Sequence, residues 1–199
     1  MVTGVVLAGG RSSRMGRDKA FLTIKSKTLI EIVIERLRPC VDRVMVVGSA
    51  RNLVQLRRLP VDAVLTDCHA DQGPLMGIYT ALMQTETPLN LCVPCDMPWI
   101  DGRLLERLID AVHGEAELVA SLHPQEGVQP FPLVCHARAC RAIGALLDRG
   151  ERSLQALVLH PKMLLVTIEQ SELWPSFTNV NTIADYVKVC DETTLPSRS

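Results

Sequence analysis

This 199-residue chain lacks most of the features that sort a protein at first sight, and each absence closes a class of function. No apolar run approaches the roughly 20 residues that a membrane-spanning helix needs. Charge is nearly balanced, with 21 Lys and Arg against 22 Asp and Glu and a net charge of −1. No broad cationic surface is therefore available to nucleic acid or to a membrane. No charged segment precedes the first apolar stretch, so a signal peptide is not expected and a soluble cytoplasmic protein is. The 7 cysteines are odd in number and scattered, which does not make a disulfide framework. Cys92-Val93-Pro94-Cys95 is formally a CxxC, but no second one follows it and it ends an apolar strand rather than opening a helix. Small buried residues describe the pair better than redox or zinc ligands. The 5 histidines show no paired spacing and suggest no metal cluster; His69 is the one to watch. No internal repeat or low-complexity tract is present.

What remains is a pattern of buried strands alternating with amphipathic helices. Residues 5–8, 43–48, 61–66 and 89–94 are short apolar runs of the kind that fill a parallel sheet covered on both faces. Between them, residues 28–38 carry helical spacing and stop at Pro39, residues 50–58 suit a short helix, and residues 75–84 suit another with Pro74 at its first turn. Asp101 reads as the N-cap of a helix over 102–113. Strands are expected at 118–122 and 163–168, and helices at 137–148, at 153–159 and after the capping box Thr182-Ile183-Ala184-Asp185. Residues 128–135 read as an extended segment that Pro130 and Pro132 should confine to a sheet edge or to a loop lining a cleft. This order predicts a three-layer α/β/α architecture with a mainly parallel sheet. One domain over residues 1–190 is expected, with a ligand-binding half at 1–120, a second-ligand half at 121–190 and a polar tail at 191–199.

Within that frame, the stretch from Val5 to Lys19 is the most informative. A buried strand breaks at Gly9-Gly10 into a loop that carries Arg11, Arg14, Arg17 and Lys19 among serines and glycines. Glycine lets the backbone approach an anion, and the cations supply countercharge. A solvated surface loop is the plainer alternative. The spacing fits neither Gly-x4-Gly-Lys-Ser/Thr nor Gly-x-Gly-x-x-Gly, which excludes a Walker A loop and a dinucleotide fingerprint. Three further segments should meet it at the carboxyl ends of strands, where open α/β sheets bind ligands: Gly48-Ser49, Asp67 and Asp96. Asp96 directly follows a buried strand and is either a ligand for a divalent cation or a turn-capping carboxylate. Gly77 permits close approach of a ligand or of another element. Asn179 and Asn181, if extended, point the same way; the alternative is a turn before the capping box.

Taken in order, Leu7-Ala8-Gly9-Gly10-Arg11-Ser12-Ser13-Arg14-Met15-Gly16-Arg17-Asp18-Lys19, Asp67 with Gly73-Pro74-Leu75-Met76-Gly77, Pro94-Cys95-Asp96-Met97-Pro98, Gly150-Glu151-Arg152 and Asn179-Val180-Asn181-Thr182 resemble a known set. They look like nucleotidyltransferases of the GT-A type, a Rossmann-like fold, and within them like the molybdenum cofactor guanylyltransferase family. The resemblance implies that GTP is bound by Leu7, Ala8, Gly9, Gly10, Lys19, Asp67 and Asp96, with Mg²⁺ on Asp96. It makes Arg14, Lys19 and Asp96 the catalytic candidates. The implied reaction transfers GMP from GTP to the terminal phosphate of molybdopterin and releases pyrophosphate. Molybdopterin would lie over residues 123–181, with Gln129, Pro130, Arg152, Asn179 and Asn181 as candidate contacts. A cofactor-delivery or recipient molybdoenzyme protein is the implied macromolecular partner. One departure stands out: some relatives carry Asn just after the second strand, where this chain has Gly48-Ser49-Ala50, and Asn52 looks out of register for that role. The competing readings are a cytidylyltransferase or sugar-phosphate nucleotidyltransferase, and a non-catalytic nucleotide-binding adaptor. Gly9 and the Gly73–Gly77 segment weigh against the cytidylyl relatives; retention of Lys19 and Asp96 weighs against an adaptor.

Overall fold

A computed structural model describes residues 1–9, 18–67 and 73–191. The chain opens with Val2–Leu7 (β1), a strand buried over its whole length. Then come the small hairpin Thr23–Ile24 (β2) and Lys27–Thr28 (β3), the helix Leu29–Leu37 (α1), Arg43–Gly48 (β4), the one-turn helix Leu53–Leu56 (α2) and Ala63–Thr66 (β5). Gly73–Gln84 (α3), Leu89–Pro94 (β6), Gly102–Asp110 (α4), Leu118–His123 (β7) and Gly127–His136 (β8) follow. Cys140–Asp148 (α5), Gln155–Val158 (α6), Met163–Thr167 (β9) and Ile183–Asp191 (α7) complete the order. No helix among the described residues is long and apolar enough to cross a membrane.

One seven-stranded sheet, β5-β4-β1-β6-β8-β7-β9, runs through both halves of the chain. β8 alone runs against its neighbours; the other strands share one direction. The expected three-layer, mainly parallel α/β architecture is therefore what forms. The alternation of side chains along β1 shows why its sequence is apolar at every position. Val6 and Ala8 face a cluster built with α1, α2 and α4, whereas Val5 and Leu7 face the cluster of α3, α5 and α6. A third, smaller cluster seats α7 on α1 through Ile32, Val180 and Val189.

Local chemistry sets the element ends. Thr28 and Glu31 form a full capping box on α1, with Glu31 Oε2 accepting from Thr28 N at 2.7 Å. The reciprocal pair at the last helix is also made: Thr182 N donates to Asp185 Oδ2 at 2.8 Å and Asp185 N to Thr182 Oγ1 at 3.1 Å. Asp101 caps α4, as its position suggests.

The edge placement of residues 128–135 does not hold. β8 lies inside the sheet, between β6 and β7. Proline is accommodated because both ladders skip it. Pairing with β6 runs only from Leu133 to His136, and pairing with β7 breaks between Val119 and Ser121. Residues 130–133 bulge opposite Ala120, so neither Pro130 nor Pro132 is asked for a ladder N–H. The cleft-lining half of that expectation does hold, since the bulge carries Phe131 into the cavity described below.

Gly4, in the middle of β1, faces the fully buried Leu37: a Cβ there would stand 2.5 Å from Leu37 Cδ2 and 3.1 Å from Val41 Cγ2. G4A overpacks this contact at a cost of about 1–3 kcal/mol. In a chain of this size each kcal/mol moves Tm by roughly 2–4 °C. A thermal melt of G4A should fall by several degrees; an unchanged Tm would contradict the close approach of α1 to β1.

Candidate active site

The site is built by strand ends. The parallel ladders continue one hydrogen bond beyond the strands: Ala8 N donates to Val47 O at 2.8 Å, Asp67 N to Gly48 O at 2.8 Å and Cys95 N to Leu7 O at 3.0 Å. These bonds fix the backbone of Ala8, Asp67 and Cys95, hence of Asp96, at one level of the sheet. On the far side, Val180 N donates to Asp96 O at 2.9 Å, so residues 179–181 run alongside the end of β6. Val180 turns into the core, which leaves Asn179 and Asn181 on the opposite side, both lining the same cavity.

That cavity has a volume of about 350 Å³. Leu7, Ala8 and Gly9 form one wall, and Asp67, Gly73, Pro74 and Gly77 a second. Lys19, Asp96, Asn179 and Asn181 close the side opposite Asp67, with Phe131 from the bulge. The structure thus brings together Leu7, Ala8, Gly9, Lys19, Asp67, Asp96, Asn179 and Asn181. Gly10 and Arg14 lie outside the described residues, as do Arg11, Arg17 and His69. Gln129, Pro130 and Arg152 do not line the cavity. Arg152 instead donates to the carbonyls of Leu147 at 2.9 Å and Glu151 at 2.8 Å. Its own carbonyl abuts Gly73, whose φ of +77° and crowding exclude a side chain.

The centre of charge is a pair. The Lys19 ammonium donates to Asp96 Oδ2, and the carboxylate is only 7% exposed. Lys19 Nζ also reaches Asn181 Oδ1 at 3.3 Å. The other carboxylate oxygen, Asp96 Oδ1, is buried and has no protein partner among the described residues. An ionised oxygen left bare in this way is costly unless something cationic or protic meets it. One carboxylate beside space for phosphate oxygens and water is the donor set Mg²⁺ favours, so the residues present fit such an ion. Among the described residues no group of three His, Cys, Asp or Glu gathers to hold a metal by protein ligands alone.

Asp67 stands across the cavity, where the Thr80 hydroxyl donates to its Oδ1 at 3.4 Å. Gly9 is exposed, and among the described residues a Cβ there would meet nothing nearer than Gly48 C at 3.9 Å. Protein packing does not demand glycine at this point, so the bare backbone is left facing the cavity. Gly77 is the contrary case. Its Cβ would stand 3.1 Å from Leu7 Cδ2, which makes it a helix-to-strand packing glycine.

Among the described residues, the cysteine that lines the cavity offers no nucleophile. Cys95 lines the cavity, but burial, reinforced by the Asp96 charge, pushes its thiol well above the ordinary range. Cys92 and Cys95 face opposite sides of the sheet, and Cys92 meets Cys135 instead, whose thiol is likewise held protonated by that contact and by burial. The CxxC spacing is therefore incidental.

Sequence reasoning missed Asn52. It is 3% exposed, and its Nδ2 donates to Ala8 O and to Asp18 Oδ2, both at 2.8 Å. As expected it is out of register for a contact in the cavity, which it does not line. A signal was available: an Asn at the start of a one-turn helix, four residues past a strand that ends at the site.

Comparison with known proteins points the same way. The profile of the MobA-like NTP transferase domain matches residues 4–163. A molybdenum cofactor guanylyltransferase of Vibrio parahaemolyticus is 34% identical over 180 residues, covering 89% of this chain and 89% of that protein. One from Haemophilus influenzae is 30% identical over 188 residues, covering 94% of this chain and 96% of its own length. In fold, the crystal structure of molybdopterin-guanine dinucleotide biosynthesis protein A from Archaeoglobus fulgidus superposes with a TM-score of 0.78 at 21% identity, over 94% of this chain and 96% of that one.

If the Lys19–Asp96 pair is the electrostatic centre, removing the cation strands a buried carboxylate. K19A, melted in EDTA, should lose roughly 2 kcal/mol, and adding D96N to it should return most of that loss. Equal stability of K19A and the wild type would show that the pair is not formed.

Proposed function

The chain belongs to the molybdenum cofactor guanylyltransferase family of MobA-like NTP transferases, and on that premise we propose that it transfers GMP from GTP to the terminal phosphate of molybdopterin, releasing pyrophosphate. The observation that carries this reading is the Lys19–Asp96 pair with its bare carboxylate oxygen, set across the cavity from Asp67.

GTP lies along the Leu7–Gly9 wall, where the exposed backbone of Gly9 approaches the phosphates without a side chain intervening. Lys19 exchanges Asp96 for a phosphate oxygen and neutralises charge as it builds. Asp96 would hold Mg²⁺, which would supply positive charge against the GTP phosphates. Gly10 and Arg14, beyond the described residues, remain the candidates for a further backbone contact and for charge stabilisation at the reacting phosphorus. Asp67 offers a carboxylate to the donors of guanine or of the ribose. Asn179 and Asn181 are the candidates for the molybdopterin side, and the contact of Asn181 with Lys19 supports a seat for it next to the nucleotide as well.

In the reaction a phosphate oxygen of molybdopterin forms a bond to the α-phosphorus of GTP, and the bond from that phosphorus to the bridging oxygen breaks, pyrophosphate taking the electron pair. A phosphate monoester is largely dianionic at neutral pH, so the attacking oxygen carries no proton and no general base is needed. Nor is a covalent enzyme intermediate, which agrees with the protonated Cys95. Positioning and electrostatics account for the rate.

With molybdopterin and Mg²⁺, purified protein should release pyrophosphate from GTP. CTP outperforming GTP would replace this reading with the cytidylyl one. D96A should lower turnover by about 10²–10³, the usual loss of a group that stabilises transition-state charge. A protein acting only as an adaptor would show no turnover to lose.

A further inference from the structure

We propose that Asn52 is a positioning residue that clasps together the two chain segments from which the nucleotide site is built. It rests on the guanylyltransferase reading for the identity of the ligand alone; the clasp is a property of the protein.

Both amide hydrogens of Asn52 are committed, one to the carbonyl of Ala8 and one to Asp18 Oδ2, each at 2.8 Å. Its oxygen accepts from Ser49 N at 2.9 Å. Such a buried, fully satisfied amide is unforgiving, because deleting it leaves several polar groups unpaired at once. Ala8 lies in the wall proposed for the phosphates. Asp18 is the residue before Lys19, and its other oxygen, Oδ1, accepts from Ala20 N at 3.1 Å, capping the short 3₁₀ turn Lys19–Phe21. A continuous line of bonds therefore runs from Asn52 through Asp18 to the turn that presents Lys19 to Asp96.

Two observations separate this arrangement from ordinary packing. Asn52 occupies the N-cap position of α2, where asparagine usually bonds its own helix, yet it makes no cap bond there. It turns its amide to Ala8 and Asp18 instead. Room for it comes from Gly48: a Cβ at that position would stand 2.7 Å from Asn52 Oδ1 and 2.1 Å from Leu56 Cδ1. Any side chain at Gly48 would evict the clasp.

N52D is the discriminating variant. It keeps the volume and the acceptor for Ser49, has neither donor and sets a carboxylate against Asp18 and the Ala8 carbonyl, so a thermal melt first checks that it folds. N52A removes all three bonds. We expect both to raise KM for GTP about tenfold, because the clasp holds the Ala8 wall and the turn that presents Lys19 to the nucleotide. Amide hydrogen exchange on protein without ligand should show faster exchange at Ala20 in both variants, as Asp18 is released. Wild-type exchange at Ala20 together with wild-type KM in N52D would overturn the proposal. A loss in N52A that N52D fully rescues would also overturn it, since the Ser49 bond alone would then explain the effect. Should the wild-type protein fail to turn over GTP, the guanylyl reading fails, and Ala20 exchange in N52D still decides the clasp.

Discussion

The site depends on the parallel ladder joining β4, β1 and β6, which continues one bond past the point where the strands end. Ala8, Asp67 and Cys95 are held by backbone bonds of ordinary sheet geometry, so their positions relative to one another are those of adjacent strands. β1 is buried on both faces, and a slip of one residue would turn every side chain to the wrong layer. The core therefore guards the alignment of the chemistry. Groups set on such rigid elements hold their geometry better than groups on free loops.

On this scaffold the charges are arranged as a resting pair. Lys19 and Asp96 neutralise each other in a place where either alone would be expensive. A nucleotide with its metal ion would offer both a better partner: phosphate oxygens for the ammonium and a cation for the carboxylate. Binding on this view is an exchange of partners rather than a fresh desolvation. Asn181, from the far end of the chain, stands beside the exchange through its contact with Lys19.

Much of this was legible in the residues. The α/β layering followed from apolar runs alternating with amphipathic helices, and the capping box at Thr182 from local chemistry that acts within four residues. Leu7, Ala8, Gly9, Lys19, Asp67, Asp96, Asn179 and Asn181 meet at one cavity because each directly follows or flanks a strand end. What escaped was long-range. Pro130 and Pro132 argue for an edge only if both neighbours demand ladder bonds, and the register break at Ala120 is not written in either strand's sequence. The clasp of Asn52 joins residues 44 and 34 positions apart, and its place at a helix start near a strand end marks it without naming those partners. The task of Gly77 likewise became decidable only once Leu7 stood over it.

The bulge in β8 has a consequence of its own. Because residues 130–132 pair with neither neighbouring strand, the chain can change there in size or composition without altering the register on either side. Phe131 sits in that stretch and faces the cavity. The sheet thus contains one place where its inner surface is decoupled from its pairing, and it lies at the wall away from β4 and β5. A protein built this way can retune what enters from that side while the half proposed to take the nucleotide stays untouched. Variation of the second substrate and constancy of the first are then compatible within one sheet.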